Sequence, residues 1–143
     1  MIPAALGLPV LPPPCSGAPT VSSVTPTDSV GACLTVGWVV NLAVAISGSL
    51  GTRFEIEIWR KAWTSPASEP ASYTFFARKT SAGTYSGIDG DMLFSSSGTG
   101  ASETRHRKYM ARIVPASSAN GAGPFCDSLE SSQLSRTANL CTE

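Results

Sequence analysis

The sequence predicts an all-β fold: a seven-stranded antiparallel β-sandwich with extended arms at both ends. Three observations carry that expectation. Short β-rich runs with one large aromatic at an alternating position recur, as in Leu34-Thr35-Val36-Gly37-Trp38 and Tyr109-Met110-Ala111-Arg112-Ile113-Val114. The connections between such runs are rich in turn residues, as in Asn120-Gly121-Ala122-Gly123-Pro124. No stretch sustains a helical period, and no internal repeat appears.

Taken in order, residues 1–18 read as a Pro-rich extended arm. Pro3, Pro9, Pro12, Pro13 and Pro14 favour polyproline geometry and break any helix. Residues 20–25 alternate as a first strand, closed by Pro26 and an Asp28-Ser29 turn. Residues 32–40 form a second strand, with Cys33, Thr35 and Gly37 on one face and Leu34, Val36 and Trp38 on the other. Residues 41–52 read two ways: Ala43-Val44-Ala45-Ile46 extends that strand or belongs to a loop. Residues 53–61 are the cleanest strand, with Phe54, Ile56 and Ile58 facing one way and Glu55, Glu57 and Trp59 the other. Pro66 and Pro70 mark a loop before an aromatic strand at 73–78. Residues 84–94 hold one or two short strands around a tight turn at Asp89-Gly90. Residues 95–103 read as a flexible loop, and 108–115 with 125–134 close the sandwich. The predicted body is therefore 19–134, and 135–143 is a C-terminal tail.

The totals narrow the function classes. With 143 residues the chain suits one domain with attached arms. Charged residues make up 14% of it, against roughly 25% in ordinary globular domains. Ser, Thr and Gly supply the polarity, which suits an extracellular protein or a subunit seated against neighbours. Ten basic and ten acidic residues cancel, so nucleic acid and acidic membranes are not expected partners. The longest apolar run, 36–46, is interrupted by Gly37 and Asn41 and is too short to span a membrane. The apolar N-terminus lacks a basic region and is broken by prolines, so no signal peptide is recognised. A Pro-rich arm frays unless something holds it, and a neighbouring subunit is the expected holder.

Four cysteines allow three pairings. A bridge across the sandwich between Cys33 and Cys126 is geometrically reasonable, and Cys15 and Cys141 would then pin the tails together or link subunits. The alternative is four free thiols, with Cys33 a small buried hydrophobe. No zinc spacing is present.

These residues, over roughly 18–134, resemble the fibronectin type III family. The match rests on a proline-led first strand (Pro19-Thr20-Val21), a second strand carrying Trp38, and the third strand Phe54-Glu55-Ile56-Glu57-Ile58-Trp59-Arg60 in the family's aromatic–valine–aromatic slot. Tyr109, Ala111 and Ile113 resemble the penultimate strand, and Gly121-Ala122-Gly123-Pro124 the turn before the last. The segment 62–107 is longer than the family pattern, and the usual leucine-bearing turn before the tyrosine is not evident. The resemblance implies that Trp38 and Tyr109 are core and corner residues. It also implies a binding or spacing module rather than an enzyme. Such sandwiches recur on tailed-phage particles as head-decoration or tail-associated proteins.

The side chains that bear chemistry each have an ordinary structural role open to them. His106, the sole histidine, lies in Arg105-His106-Arg107-Lys108 and reads as part of a solvated strand edge. Glu55 and Glu57 share one strand face about 7 Å apart, a spacing glycosidases use. Cross-strand pairing with Arg60, Arg78 or Arg112 is the expected fate of those carboxylates. Asp89-Gly90-Asp91 lacks the remaining ligands of a calcium loop, and Gly98-Thr99-Gly100 does not open a helix. Trp59 and Trp63 are the interaction candidates: each serves an interface or a sugar platform, or else a second small core under the 62–70 loop.

The expected function is thus a non-enzymatic structural subunit on a virion or other extracellular assembly surface. Its arms, with Pro12, Pro13 and Pro14, contact other subunits. The alternative is a carbohydrate-binding or adhesion module for cell-surface glycans, using Trp59, Trp63 and the 95–103 loop. No cofactor, metal or catalytic residue is expected.

Overall fold

The computed structural model describes residues 14–30, 37–93 and 102–139. Among these the chain is all-β, with eight strands: β1 (Thr20–Val30), β2 (Gly37–Ser47), β3 (Phe54–Thr64), β4 (Thr74–Lys79), β5 (Gly83–Leu93), β6 (Ser102–Pro115), β7 (Asp127–Glu130) and β8 (Leu134–Asn139). One antiparallel sheet runs β1-β2-β5, and the other runs β4-β3-β6-β7 with β8 also on β6. The sheets pack over a core in which Val24, Trp38, Val40, Leu42 and Val44 of the first meet Phe54, Ile56, Ile58, Tyr109, Ala111 and Ile113 of the second. Strict alternation along β2 and β3 drives this, because every second side chain leaves water together.

Several elements depart from the sequence expectation. Pro26 does not close β1; it lies within it, opposite Leu42. Among the described residues β1 pairs only with β2, so on this edge strand a missing N–H need cost no ladder bond. The ambiguous Ala43–Ile46 stretch belongs to β2 and pairs with β1. Cys33, Leu34 and Val36 lie outside the described residues, as do Pro12 and Pro13.

No turn forms at Asp89-Gly90, because β5 is one continuous strand. Its surplus residues are absorbed by register shifts against β2 on either side of Val39-Val40. Gly87 takes a left-handed φ of 61° within this irregular stretch. Its N–H is held by Asn41 Oδ1 at 2.6 Å.

At the other end, the last strand is split where one was expected. β7 pairs with residues 110–113 of β6 and β8 with residues 102–107, in succession along one edge. Ser102 and Glu103, expected in a loop, belong to β6, and residues 135–139, expected in a tail, belong to β8. The length of β6 explains both, since it offers β8 a ladder beyond the reach of β7.

The disulfide joins Cys15 to Cys126, with Cα atoms 5.1 Å apart. Cys126 is therefore not bridged to Cys33; Cys33 and Cys141 lie outside the described residues. The reason is local. The start of β1 meets the start of β7, where the Val21 N–H donates to Asp127 Oδ2 at 2.7 Å. That contact brings the preceding residues to Cys126. Arg53 Nη2 adds a bond to the Ser16 carbonyl at 2.7 Å, and the Ala18 N–H bonds the Cys15 carbonyl at 3.0 Å.

Candidate functional site

The outer face of the five-stranded sheet collects most of the chemistry-bearing side chains. Alternation along β3 sends Glu55, Glu57, Trp59, Lys61 and Trp63 outward. Across the ladder these meet β6, with Glu57 opposite Arg112, Trp59 opposite Met110, Lys61 opposite Lys108 and Trp63 opposite His106.

Two lysines facing each other would repel, and carboxylates relieve them. Glu69 accepts from Lys61 at 2.9 Å and lies 3.7 Å from Lys108, while Glu130 lies 3.3 Å from Lys108. The Lys61 hydrogen bond holds Glu69 below the usual carboxylate range. Glu130 is held low chiefly by the Tyr73 hydroxyl, which donates to it at 2.8 Å. Burial, reinforced by Glu130, pushes the Tyr73 phenol well above its usual value.

Arg78 is the expected partner of Glu55 and Glu57, and its role is larger than pairing. Its guanidinium reaches Glu55 through Nε and Glu57 Oε2 at 3.2 Å through Nη1. It also reaches Asn120 Oδ1 at 3.2 Å and the carbonyls of Pro115 and Ala116 at 3.1 and 3.2 Å. Glu57 is completely buried, and it also accepts from the Gly121 N–H at 2.9 Å and the Trp59 indole at 3.0 Å. The pair that resembled a glycosidase dyad is thus one buried and one half-buried carboxylate on a single arginine. Together they clamp the 115–121 turn to the sheet.

Trp59 sits above this clamp. Its ring meets Phe75 and Phe125 edge-on, with centroids 6.0 and 5.6 Å away. Arg112 lies 4.5 Å from the Trp59 ring and 4.1 Å from the Phe125 ring. The guanidinium therefore occupies the corner between two perpendicular rings. Trp63 stacks on His106, with centroids 5.1 Å apart. Both tryptophans are half-buried and contribute to a second small apolar layer. The exposed large apolar side chains among the described residues are Phe125 and Leu129. Sequence reading missed Phe125 because nothing in Gly123-Pro124-Phe125 announces that the turn folds back over Trp59. Arg112 carried a signal, its alternation with Ala111 and Ile113, but only as a carboxylate partner.

His106 lies in the sheet interior and not on a solvated edge. Its Nε2 is 2.8 Å from Ser65 Oγ, and its Nδ1 is 2.7 Å from Ser135 Oγ. A serine–imidazole contact is the first element of a nucleophilic site. Here the ring's other nitrogen meets serine rather than a carboxylate. The nearby Ser65 and Ala67 amides are already spent on Thr104 and Thr64 carbonyls. Among the described residues, no group of three His, Cys, Asp or Glu converges to hold a metal.

Two further carboxylates tie the sheets together. Asp89, expected in a turn, is a buried strand residue. Its oxygens accept from Arg60 at 3.0 and 3.1 Å, from Arg107 Nε at 3.3 Å and from the Tyr109 hydroxyl at 2.8 Å. Burial, with Asp89 reinforcing it, drives the Tyr109 phenol far above its usual range. Arg107 is accordingly buried and not part of a solvated basic cluster. Asp28 accepts from the Trp38 indole at 2.7 Å and from Arg136 Nε at 2.8 Å, linking β1, β2 and β8. The Arg136 bond holds the Asp28 carboxyl below its usual value against the opposing effect of burial, and the Trp38 indole assists.

Compared with protein-family models, curated proteins and solved structures, the chain matches none.

Proposed function

We propose that this chain is a non-enzymatic assembly module, a fibronectin type III-like sandwich whose N-terminal arm contacts other subunits of a larger particle. The observation that carries the reading is the anchoring of residues 14–19. The Cys15–Cys126 disulfide, Arg53 and the Val21–Asp127 bond fix them to the base of β7. The covalent anchor leaves residues 14–19 already ordered. Ordering entropy is then partly met before any neighbour binds.

Other features support the reading. The third strand pairs along its length with β6, the strand that carries Tyr109. Trp38 and Tyr109 are both fully buried, as a fibronectin-like core and corner would require. A disulfide suits an oxidising setting such as an extracellular or virion surface.

The test compares full-length protein with a chain starting at Pro14, which keeps Cys15, by light scattering after size exclusion. The expected result is association of the full chain and a folded, disulfide-bonded monomer without the arm. A full-length chain that stays monomeric at the highest attainable concentration overturns self-assembly through the arm.

A second reading, a carbohydrate module, draws on the Trp63–His106 stack, which is bordered by the hydroxyls of Ser65 and Ser135. It requires saturable glycan binding that disappears in Trp63→Ala, and a blank glycan panel removes it.

A further inference from the structure

We propose that Arg112 is the centre of a carboxylate-recognition site for an acidic peptide segment of a partner protein, in the groove on the outer face where β6 pairs with β7. This deepens the reading of the chain as a protein-binding module and rests on it. The groove is a shallow, open depression of about 440 Å³ lined by Met110, Arg112, Ser128, Leu129 and Glu130.

Arg112 has donors to spare. A guanidinium carries five N–H donors. Here Nε points at the Met110 sulfur at 3.0 Å. Neither Nη group bonds to an acceptor among the described residues. The contrast with other arginines in the same sheet is sharp. Arg78 spends its donors on two carboxylates, an amide and two carbonyls. Arg60 is committed to Asp89, and Arg136 to Asp28.

Arg112 is also pre-positioned. Its guanidinium carbon lies 4.5 Å from the Trp59 ring centroid and 4.1 Å from that of Phe125, in the corner between the two perpendicular rings. Little side-chain entropy is left to lose when an acceptor arrives, and the rings displace water that would weaken the bond. A planar fork with unused Nη donors matches a carboxylate in two-pronged geometry.

Surrounding groups define the rest of the ligand. The exposed Phe125 ring beside the Arg112 guanidinium, with the Met110 sulfur against Arg112 Nε, favours an apolar residue next to the acid. Glu130, on the same groove, already has Oε1 engaged by Tyr73 and Lys108, so its charge is partly offset. Ser128 offers a hydroxyl. The occupant that satisfies all of these is an extended peptide carrying Asp or Glu beside an apolar side chain.

The test is a titration of the full chain with acetyl-Leu-Glu-Leu-amide and its Glu→Gln counterpart, followed by amide and indole NMR. The acidic peptide should shift the Ser128 and Leu129 amides and the Trp59 indole, and should bind roughly tenfold tighter than the Gln peptide. Arg112→Gln should erase that preference, and Arg112→Lys should restore part of it. Equal binding of the two peptides to the wild-type chain overturns the proposal whatever the variants do. So does an Arg112→Gln chain that keeps the preference, or no shift at millimolar peptide. A response to free acetate as strong as to the acidic peptide would show a bare anion site and overturn the peptide assignment. Arm truncation reads association of whole chains, while this titration reads a peptide on one chain, so either can fail alone.

Discussion

Replacing Asp89 with alanine tests whether the inter-sheet carboxylate is a structural centre or a turn residue. Asp89 and Arg107 are almost dry, with side chains 5% and 8% exposed. Arg60, at 29% exposed, can turn toward water. Removing the carboxylate therefore strips a partner from one buried cation and leaves the Tyr109 hydroxyl, 2.8 Å away, without its acceptor. Breaking a buried pair from one side costs about 3–5 kcal/mol, and the stranded hydroxyl overlaps with that loss, so about 4 kcal/mol is expected. For a domain of this size that is a fall of roughly 10–15 °C in Tm. Thermal unfolding by circular dichroism, with urea titration to check that the slope is unchanged, measures it. Tyr109→Phe, which removes only the hydroxyl, should cost about 1 kcal/mol. An exposed turn aspartate would change stability by less than about 0.5 kcal/mol. An Asp89→Ala loss near that value refutes the reasoning.

Three other outcomes are expected. Removing the disulfide as Cys15→Ser with Cys126→Ser opens a closure across 111 residues of separation, worth about 5 kcal/mol in the chain-entropy account. Urea unfolding of the pair against wild type checks this, and a loss below about 1 kcal/mol would mean that the unfolded chain is not constrained by the link. Arg78→Met should cost about 3–5 kcal/mol by leaving Glu57 buried without its cation. It should also speed exchange of the Gly121 amide, whose acceptor is Glu57; unchanged exchange there would break the claim that the clamp fixes the turn. Asp28 has its folded pKa depressed below the usual 3.8 by Arg136. Its contribution is therefore present in full above the unfolded value and drains away as pH falls through the folded one. Denaturation near neutral pH and below about pH 3 should show a smaller acid loss in Asp28→Asn than in wild type. Parallel losses would exclude Asp28 as a source of acid sensitivity.

How much of this was legible in the sequence depends on the distance over which each feature is decided. Phe54, Ile56 and Ile58 against Glu55, Glu57 and Trp59 is a period-two pattern, and local alternation alone sets it. Trp38 and Tyr109 announced burial because large aromatics within β-branched runs seek a core. The fate of charged residues was not legible. Glu57 and Glu55 look alike in sequence, yet one is sealed beneath the 115–121 turn, and only the fold-back of that turn makes the difference. Asp89-Gly90 has turn composition, and the cations Arg60 of β3 and Arg107 of β6 override that propensity by drawing Asp89 into the core. Cysteine pairing was open for a combinatorial reason, and the approach of β1 to β7 decided it. Arg112 and Phe125 meet across a turn, which no pattern within either segment encodes.

The Cys15–Cys126 link has a mechanical consequence. Tension applied through residues before Cys15 and after Asn139 passes directly across the sulfur bridge and into Asp127. Everything between the two cysteines, including β1 to β6, lies in a covalent loop that carries no load. Only β7 and β8 stand in the line of force. Pulling can peel out residues 127–139, about 45 Å of extended chain, taking Arg136 away from Asp28 while the Asp89 cluster stays in place. Under tension on both ends, such a shunt confines damage to one edge of one sheet. Chemical reduction would transfer the same load onto the whole sandwich.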